Sequence, residues 1–451
     1  MSRRSRSTNS LSVVKPTWER GLPRPRGEPG KPAQRYRLPM RARAAEEPAS
    51  DQALVGVDQI RDARARLAGV LRATPVDRSD SLTALAGRPV VLKPEYLQRT
   101  GSFKIRGAYN RISRLPPGVP VVAASAGNHA QGVALAARLT GRKATIFMPV
   151  NAPLPKVEAT LGYGAEVQVE QEAVDDCIAV AQRFAAERGA VFVPPFDDPL
   201  IIAGQGTIGL ELAEEAPEAE VVVVPVGGGG LIAGIAAALA AVRPQVRVLG
   251  VEAAGAASMR ASLDAGGCVR LDRLQTMADG IALKSPSPRT LAHVQAHVED
   301  VVTVGEEETS QALLLLLERA KAVVEPSGGV ALAALLGGRV PGSGPVALVL
   351  SGGNIDPMLL TRVIDHGLSA AGRYVALRVV LADRPGTLAR LTGEVGRLGL
   401  NVLSVEQHRE GLDLAVDEVE VRLTLETRNA IHRDQIVADL EAFGYRVEPI
   451  R

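Results

Sequence analysis

Lys104 lies in the run Thr100-Gly101-Ser102-Phe103-Lys104-Ile105-Arg106-Gly107-Ala108, just after a glycine turn and at the start of a predicted helix. The partial positive charge of a helix N-terminus disfavours an ammonium. A lysine held there can have a lowered pKa and act as a neutral nucleophile. The same spacing also fits a solvated surface lysine. A second run, Ser125-Ala126-Gly127-Asn128-His129-Ala130-Gln131-Gly132, follows a short apolar strand pattern. Small residues there expose backbone N–H groups at the next helix start, a geometry that accepts carboxylate or phosphate. An ordinary βα turn has the same composition. His129 reads as a catalytic base or as a structural imidazole, and a lone histidine is more often the latter.

A third run is Pro225-Val226-Gly227-Gly228-Gly229-Gly230-Leu231. Four consecutive glycines are costly in conformational entropy unless the backbone must approach something closely. A phosphate at a helix N-terminus is the natural guest. Gly228, Gly230 and Ala233 also fit G-x-G-x-x-[GA], and Glu252 lies 22 residues past Gly230, at the end of the next strand. On paper that matches a dinucleotide fingerprint. It arises far into the chain, however, and leaves Lys104 unexplained. The fourth run, Ser351-Gly352-Gly353-Asn354, closes a strand, where a Ser can face a ligand in the crevice or simply make a turn.

The elements that must position these runs alternate. Strands are predicted at Val90–Leu92, Val121–Ala123, Ala144–Phe147, Val221–Val224, Val246–Val251 and Val346–Leu350. Helical segments such as 130–139, 173–187 and 231–242 lie between many of them. That pattern predicts an α/β fold with parallel sheet buried on both faces. After Gly372 the texture changes. Strands at 373–381, 401–407, 418–426 and 445–450, with helices at 387–398 and 429–443, give the order βαββαβ of a ferredoxin-like unit. A linker is expected near 360–373, its start overlapping a possible helix at 356–366.

Composition narrows the function classes. Of 52 Lys/Arg and 50 Asp/Glu, residues 1–50 hold 12 and 4, so a basic segment precedes a mildly acidic body. A nucleic-acid protein would carry its basic charge on the folded part, so no nucleic-acid partner is expected. The longest mainly apolar stretch, Leu231–Val242, falls far short of the roughly 20 residues a membrane helix needs. Cys177 and Cys268 make no disulfide framework and lack metal-ligand spacing, which points to a reducing compartment. Residues 1–50 are rich in Arg, Ser and Pro and show no apolar period. They read as a disordered extension, as an organellar transit peptide, or as extra coding sequence ahead of Met40. The only tryptophan, Trp18, lies there. The expected location is cytoplasmic, or organellar if the segment is a transit peptide.

Taken together, the four runs resemble the pyridoxal-phosphate enzymes of the tryptophan-synthase-β fold type, over roughly residues 55–360. The likeness is greatest to threonine dehydratases (threonine ammonia-lyases), with serine racemases as cousins. The resemblance implies a fold-type II catalytic domain of two parallel-sheet α/β subdomains over 51–365. It implies that Lys104 bonds the cofactor's aldehyde and later removes the substrate's Cα proton. By the same resemblance Phe103 lies against the cofactor ring and Asn128 binds the phenolic oxygen. Gly227, Gly228, Gly229 and Gly230 cradle the phosphate, and Ser351 meets the pyridine nitrogen. The Ser125, Ala126, Gly127, Asn128 and His129 backbone would bind the substrate carboxylate. The implied reaction is deamination of L-threonine to 2-oxobutanoate and ammonia, and of L-serine to pyruvate. Its place, in isoleucine synthesis or threonine breakdown, is open.

Two departures matter. Serine racemases carry a Ser immediately before the Gly-Asn of the second run, where this chain has Ala126, which favours elimination. Some relatives bind a divalent ion through a Glu matching Glu252 and an Asp six residues later. Here the second position is Ser258, a poor ligand for a hard cation, so no divalent metal is expected and a structural or monovalent-ion role for Glu252 is at least as good a reading. Residues 366–451 resemble an ACT domain, an amino-acid-sensing module. Asp383-Arg384-Pro385-Gly386-Thr387-Leu388 matches its D-x-P-G-x-L turn, and Gly399-Leu400-Asn401-Val402 its G-x-N-[IV] pattern. Such units commonly pair across subunits, implying a homodimer or homotetramer, with Gly386 and Asn401 as the positions for an amino-acid effector. A purely structural dimerisation unit is the alternative.

Overall fold

The computed structural model describes residues 53–171, 174–370, 372–409 and 414–450. The basic segment, with Trp18 and Met40, lies outside them. Among the described residues, ten strands precede the C-terminal unit: β1 (Asp77–Arg78), β2 (Val90–Pro94), β3 (Val121–Ala124), β4 (Ala144–Pro149), β5 (Glu166–Gln171), β6 (Val191–Phe192), β7 (Val221–Pro225), β8 (Arg247–Ala253), β9 (Asp300–Val304) and β10 (Val346–Leu350). They form two sheets, ordered β1-β2-β10-β7-β8-β9 and β5-β4-β3-β6. Every pairing is parallel except β1 with β2. The smaller sheet is one continuous insertion between β2 and β7, so the chain makes two α/β lobes.

All six strands expected from apolar runs are present, and β2, β3, β4, β7 and β10 are buried along their whole length. The four strands that composition does not reveal, β1, β5, β6 and β9, are the four sheet edges. An edge strand is covered less completely and therefore carries no continuous apolar run. β5, for example, alternates Val167 and Val169 with Glu and Gln.

The helix Pro199–Glu215 is a further element beyond the sequence-based expectation. It crosses the helix Gly230–Val242 with the two backbones in contact. A Cβ on Gly234 would sit 2.3 Å from the Ile202 carbonyl oxygen. The glycine that interrupts the longest apolar run is therefore the crossing point. Near the end of the larger lobe, the helix Pro357–Ala370 fills most of the segment expected to be linker.

The C-terminal unit has strands β11 (Tyr374–Ala382), β12 (Val402–His408), β13 (Glu418–Glu426) and β14 (Arg446–Pro449), with helices Thr387–Arg397 and Ala430–Ala442. Its sheet is antiparallel, in the order β12-β13-β11-β14. Alternation along β11 and β13 sends Leu377, Val379, Val421 and Leu423 into a core that draws only on this unit. Edge strand β12 is exposed at all seven residues. Among the described residues, no helix is long and apolar enough to cross a membrane.

Candidate active site

Ligands of open α/β sheets bind outside the carboxyl ends of the strands. Here those ends surround a cavity of about 440 Å³. Its wall contains Phe103, Lys104, Ser125, Ala126, Gly127, Asn128, His129, Gly227, Gly228, Gly229, Gly230 and Ser351. Four runs spread over some 250 residues of sequence thus converge. The β2 and β10 turns are stitched together: the Phe103 amide donates to the Ser351 carbonyl at 3.2 Å, and the Gly353 amide to the Gly101 carbonyl at 2.9 Å.

Lys104 is the first residue of the helix Lys104–Ile112. Its amine donates to the Pro195 carbonyl at 3.0 Å and lies 5.2 Å from the centre of the Phe103 ring. Burial pushes its pKa down to about 8, with the Glu325 carboxylate opposing the shift. Desolvation, rather than the helix terminus, is the main cause. Beneath it, Arg106 bonds Glu95 through Nε and Nη2 at 2.8 Å each, and also reaches Glu211 and Thr207. This ion network is buried and pins the helix to the β2 turn and to the helix Pro199–Glu215.

The glycine run follows β7 and ends in the helix Gly230–Val242, which has no side-chain cap. Gly229 has φ +90°, a left-handed conformation that favours glycine. A Cβ on Gly228 would lie 2.4 Å from the Phe196 ring, and one on Gly229 2.7 Å from the Met259 methyl. Only bare backbone fits, and it leaves N–H groups at an uncapped helix start.

The Ser125 hydroxyl accepts from the Gly127 amide at 3.1 Å and shapes its own loop. His129 is buried, its Nε2 2.9 Å from the Val193 carbonyl. Burial, with the charge of Lys104, pushes its pKa down to about 3. The imidazole is neutral and structural. Asn128 donates from Nδ2 to Glu325 Oε1 at 2.7 Å, and its Oδ1 accepts from Asn354 at 2.7 Å. Glu325, Phe196, Lys156 and Asp279 are site residues that the sequence reading misses, and Asn354 of the fourth run gains a contact with Asn128 that this reading does not foresee. The one local signal for Glu325 is a lone acid between the apolar Ala322–Val324 and the small-residue run Pro326–Gly329.

Glu252 stands apart from the cavity. Its two carboxylate oxygens accept from the Met259 and Arg260 amides, each at 2.8 Å, so it caps the helix Ser258–Ala265. Burial raises its pKa to about 7. With both oxygens engaged it is not facing a ribose, as a dinucleotide fingerprint would need. Among the described residues no group of three His, Cys, Asp or Glu is arranged to hold a metal ion. Cys177 is buried and Cys268 exposed, and neither is in a disulfide.

In the C-terminal unit, Gly386 has φ +87° and precedes the helix Thr387–Arg397, next to a cavity of about 280 Å³ that Thr387 and Arg390 line. Asn401 donates to Glu426 at 2.9 Å. The register pairs Ala382 with Glu418 and Val402 with Leu425. Gly386 and Asn401 are therefore at opposite ends of the sheet, and one chain does not bring them together.

The cavity offers a desolvated amine, a glycine-built anion site at a helix start, and a neutral hydroxyl at a strand end. That set fits pyridoxal phosphate, which has an aldehyde, a phosphate and a ring nitrogen. Residues 67–352 match the family model "pyridoxal-phosphate dependent enzyme", and residues 375–444 match the ACT domain. The L-threonine ammonia-lyase of Thermotoga maritima is 46% identical over 397 residues, spanning 87% of this chain and 99% of that protein. The solved threonine deaminase of T.th. superposes with a TM-score of 0.64 at 42% identity, covering 67% of this chain and 99% of that one. Maize serine racemase superposes with a TM-score of 0.66 at 37% identity, covering 70% and 99%. The chain thus belongs to the pyridoxal-phosphate dependent enzymes, in the threonine ammonia-lyase family, and carries a C-terminal ACT domain.

Proposed function

We propose that the protein deaminates L-threonine to 2-oxobutanoate and ammonia, and L-serine to pyruvate, under amino-acid control through its ACT domain. The observation that carries this reading is the buried Lys104 amine, its pKa down to about 8, facing the glycine cradle and Ser351 across one cavity. Pyridoxal phosphate, when bound, supplies the sink for the electron pair left at Cα. Lys104 would hold the cofactor, and its freed Nζ would take the Cα proton. Gly227, Gly228, Gly229 and Gly230 would hold the phosphate through their backbone, Asn128 the phenolic oxygen, and Phe103 one face of the ring. Ser351 is uncharged and would leave the ring nitrogen without a carboxylate partner, which suits elimination over transamination. The start of the helix Asn128–Leu139, with the Ser125–His129 backbone, would carry the substrate carboxylate.

Racemisation needs a proton-transfer group on the face opposite Lys104. Ala126 occupies the position expected for it and has none to give. For the ACT domain, an effector touching both Gly386 and Asn401 needs a second copy running the other way. The exposed β12 edge supports such pairing, hence a homodimer or homotetramer. A cytoplasmic location accords with the two unpaired cysteines and the bacterial relatives. Steady-state kinetics with threonine and serine, with and without isoleucine or valine, test the reading. The expected products are 2-oxobutanoate and pyruvate. D-serine as the main product from L-serine would overturn it.

A further inference from the structure

Glu325 occupies the N-cap position of the helix Pro326–Leu336, yet that helix has no side-chain cap. A carboxylate at this position would ordinarily bond the first amides of its own helix. This one reaches instead across the cleft to Asn128, which opens a helix of the smaller lobe. One glycine makes room: a Cβ on Gly352 would lie 2.4 Å from Glu325 Oε1. Asn128 is thereby clamped from both ends by the larger lobe.

The clamp also fixes which end of the amide faces where. Asn354 Nδ2 donates to the Thr100 carbonyl at 2.8 Å, and a carbonyl can only accept. The same nitrogen meets Asn128 at 2.7 Å, so the atom it meets must be Oδ1. Asn128 Nδ2 therefore faces Glu325, which takes one of its two N–H bonds. The second N–H remains for the cavity.

We propose that Glu325 is a positioning residue for cofactor binding, acting through Asn128 by holding that second N–H toward the cavity, and that its charge state tunes the site. The proposal rests on the pyridoxal-phosphate reading of the cavity, but not on threonine as substrate. The charged groups around Glu325 are Lys104 and Asp279 on the active-site side and Lys156 from the smaller lobe, and Asp356 and Arg362 line the adjoining cavity. Burial, reinforced by Asp279, raises its pKa to about 7, against the pull of Lys156, Asn128 and Lys104. Ionised, it adds a negative charge that favours the Lys104 cation. Protonated, it withdraws that charge.

The test is a pH titration, from about 5.5 to about 8.5, of the visible absorbance of the cofactor-loaded, substrate-free enzyme, bracketing the Glu325 pKa. The wild type is expected to show a transition within that range that E325Q lacks, since Gln keeps the acceptor for Asn128 and loses the titrating proton. E325L is expected to weaken cofactor binding tenfold or more, but to add nothing in an N128A background. The cofactor-free protein gives an independent readout. Between about pH 4.5 and 7 the native state keeps the Glu325 proton while the unfolded chain releases it, so stability falls as pH rises through that window. Relative to wild type, the E325Q Tm is expected to be higher at about pH 8 than at about pH 4.5. An unchanged spectral transition in E325Q, or full additivity of E325L with N128A, would overturn the proposal. Failure of the threonine reading alone would leave both readouts intact.

Discussion

Two side chains separate the readings of the cavity. Lys104→Ala removes the amine and with it the Cα base. Turnover of threonine is expected to fall by at least about 10²–10⁴-fold, with loss of the covalent cofactor's visible band. In the wild type, burial holds the Lys104 amine at about 8, so the neutral nucleophile accumulates well below the usual lysine range. The rate at which cofactor-free protein takes up pyridoxal phosphate should rise with pH through about 8 and level off above it. A rate still climbing at about pH 10, the range of an ordinary lysine, would contradict this. Ala126→Ser places a hydroxyl on the cavity wall in the racemase position. It is expected to raise D-serine formation relative to pyruvate, measured from L-serine by chiral chromatography. The positions of Lys104, Asn128 and Ser351 were legible because each ends or starts an element with a distinctive neighbourhood. Glu325 was not, because its role depends on a partner 197 residues away.

Turns and the elements behind them carry the site. Gly229→Ala would force a side chain into a left-handed backbone at a cost of about 1–2 kcal/mol, besides the collision with Met259. Lower thermal stability together with weaker cofactor retention in equilibrium dialysis is the expected result. Arg106→Ala would leave Glu95 buried without its partner. Breaking a buried pair in this way costs about 3–5 kcal/mol, to be read from urea unfolding of the cofactor-free protein. Because the same network seats the Lys104 helix, cofactor uptake should slow as well. Central strands were readable as continuous apolar runs because neighbours cover them on both sides. The edges β1, β5, β6 and β9 were not, since a half-covered strand needs no such run.

Over the whole molecule, the ACT core stands on its own residues, so it can be removed without opening the catalytic core. A chain ending at residue 370 is expected to keep threonine turnover and to lose its response to amino-acid effectors. In the full-length enzyme a coupling of ordinary size would shift the threonine KM about 5–150-fold. An unaltered effector response in the truncated chain would place the regulatory site elsewhere. By itself, the sequence determined the alternating α/β class, the βαββαβ tail, and four runs with the chemistry of an amine and an anion site. Local composition suffices for these, because periodicity and turn residues act over a few neighbours. Only the tertiary structure decided which strands, β3 to β6, leave the main sheet to form the second of the two lobes that the resemblance implies. Only it closed the cleft with the Glu325–Asn128–Asn354 clamp, turned Glu252 into a helix cap, and set Gly386 and Asn401 at opposite ends of a sheet. Each depends on groups brought together from distant parts of the chain, and spacing along the sequence carries no record of their separation in space.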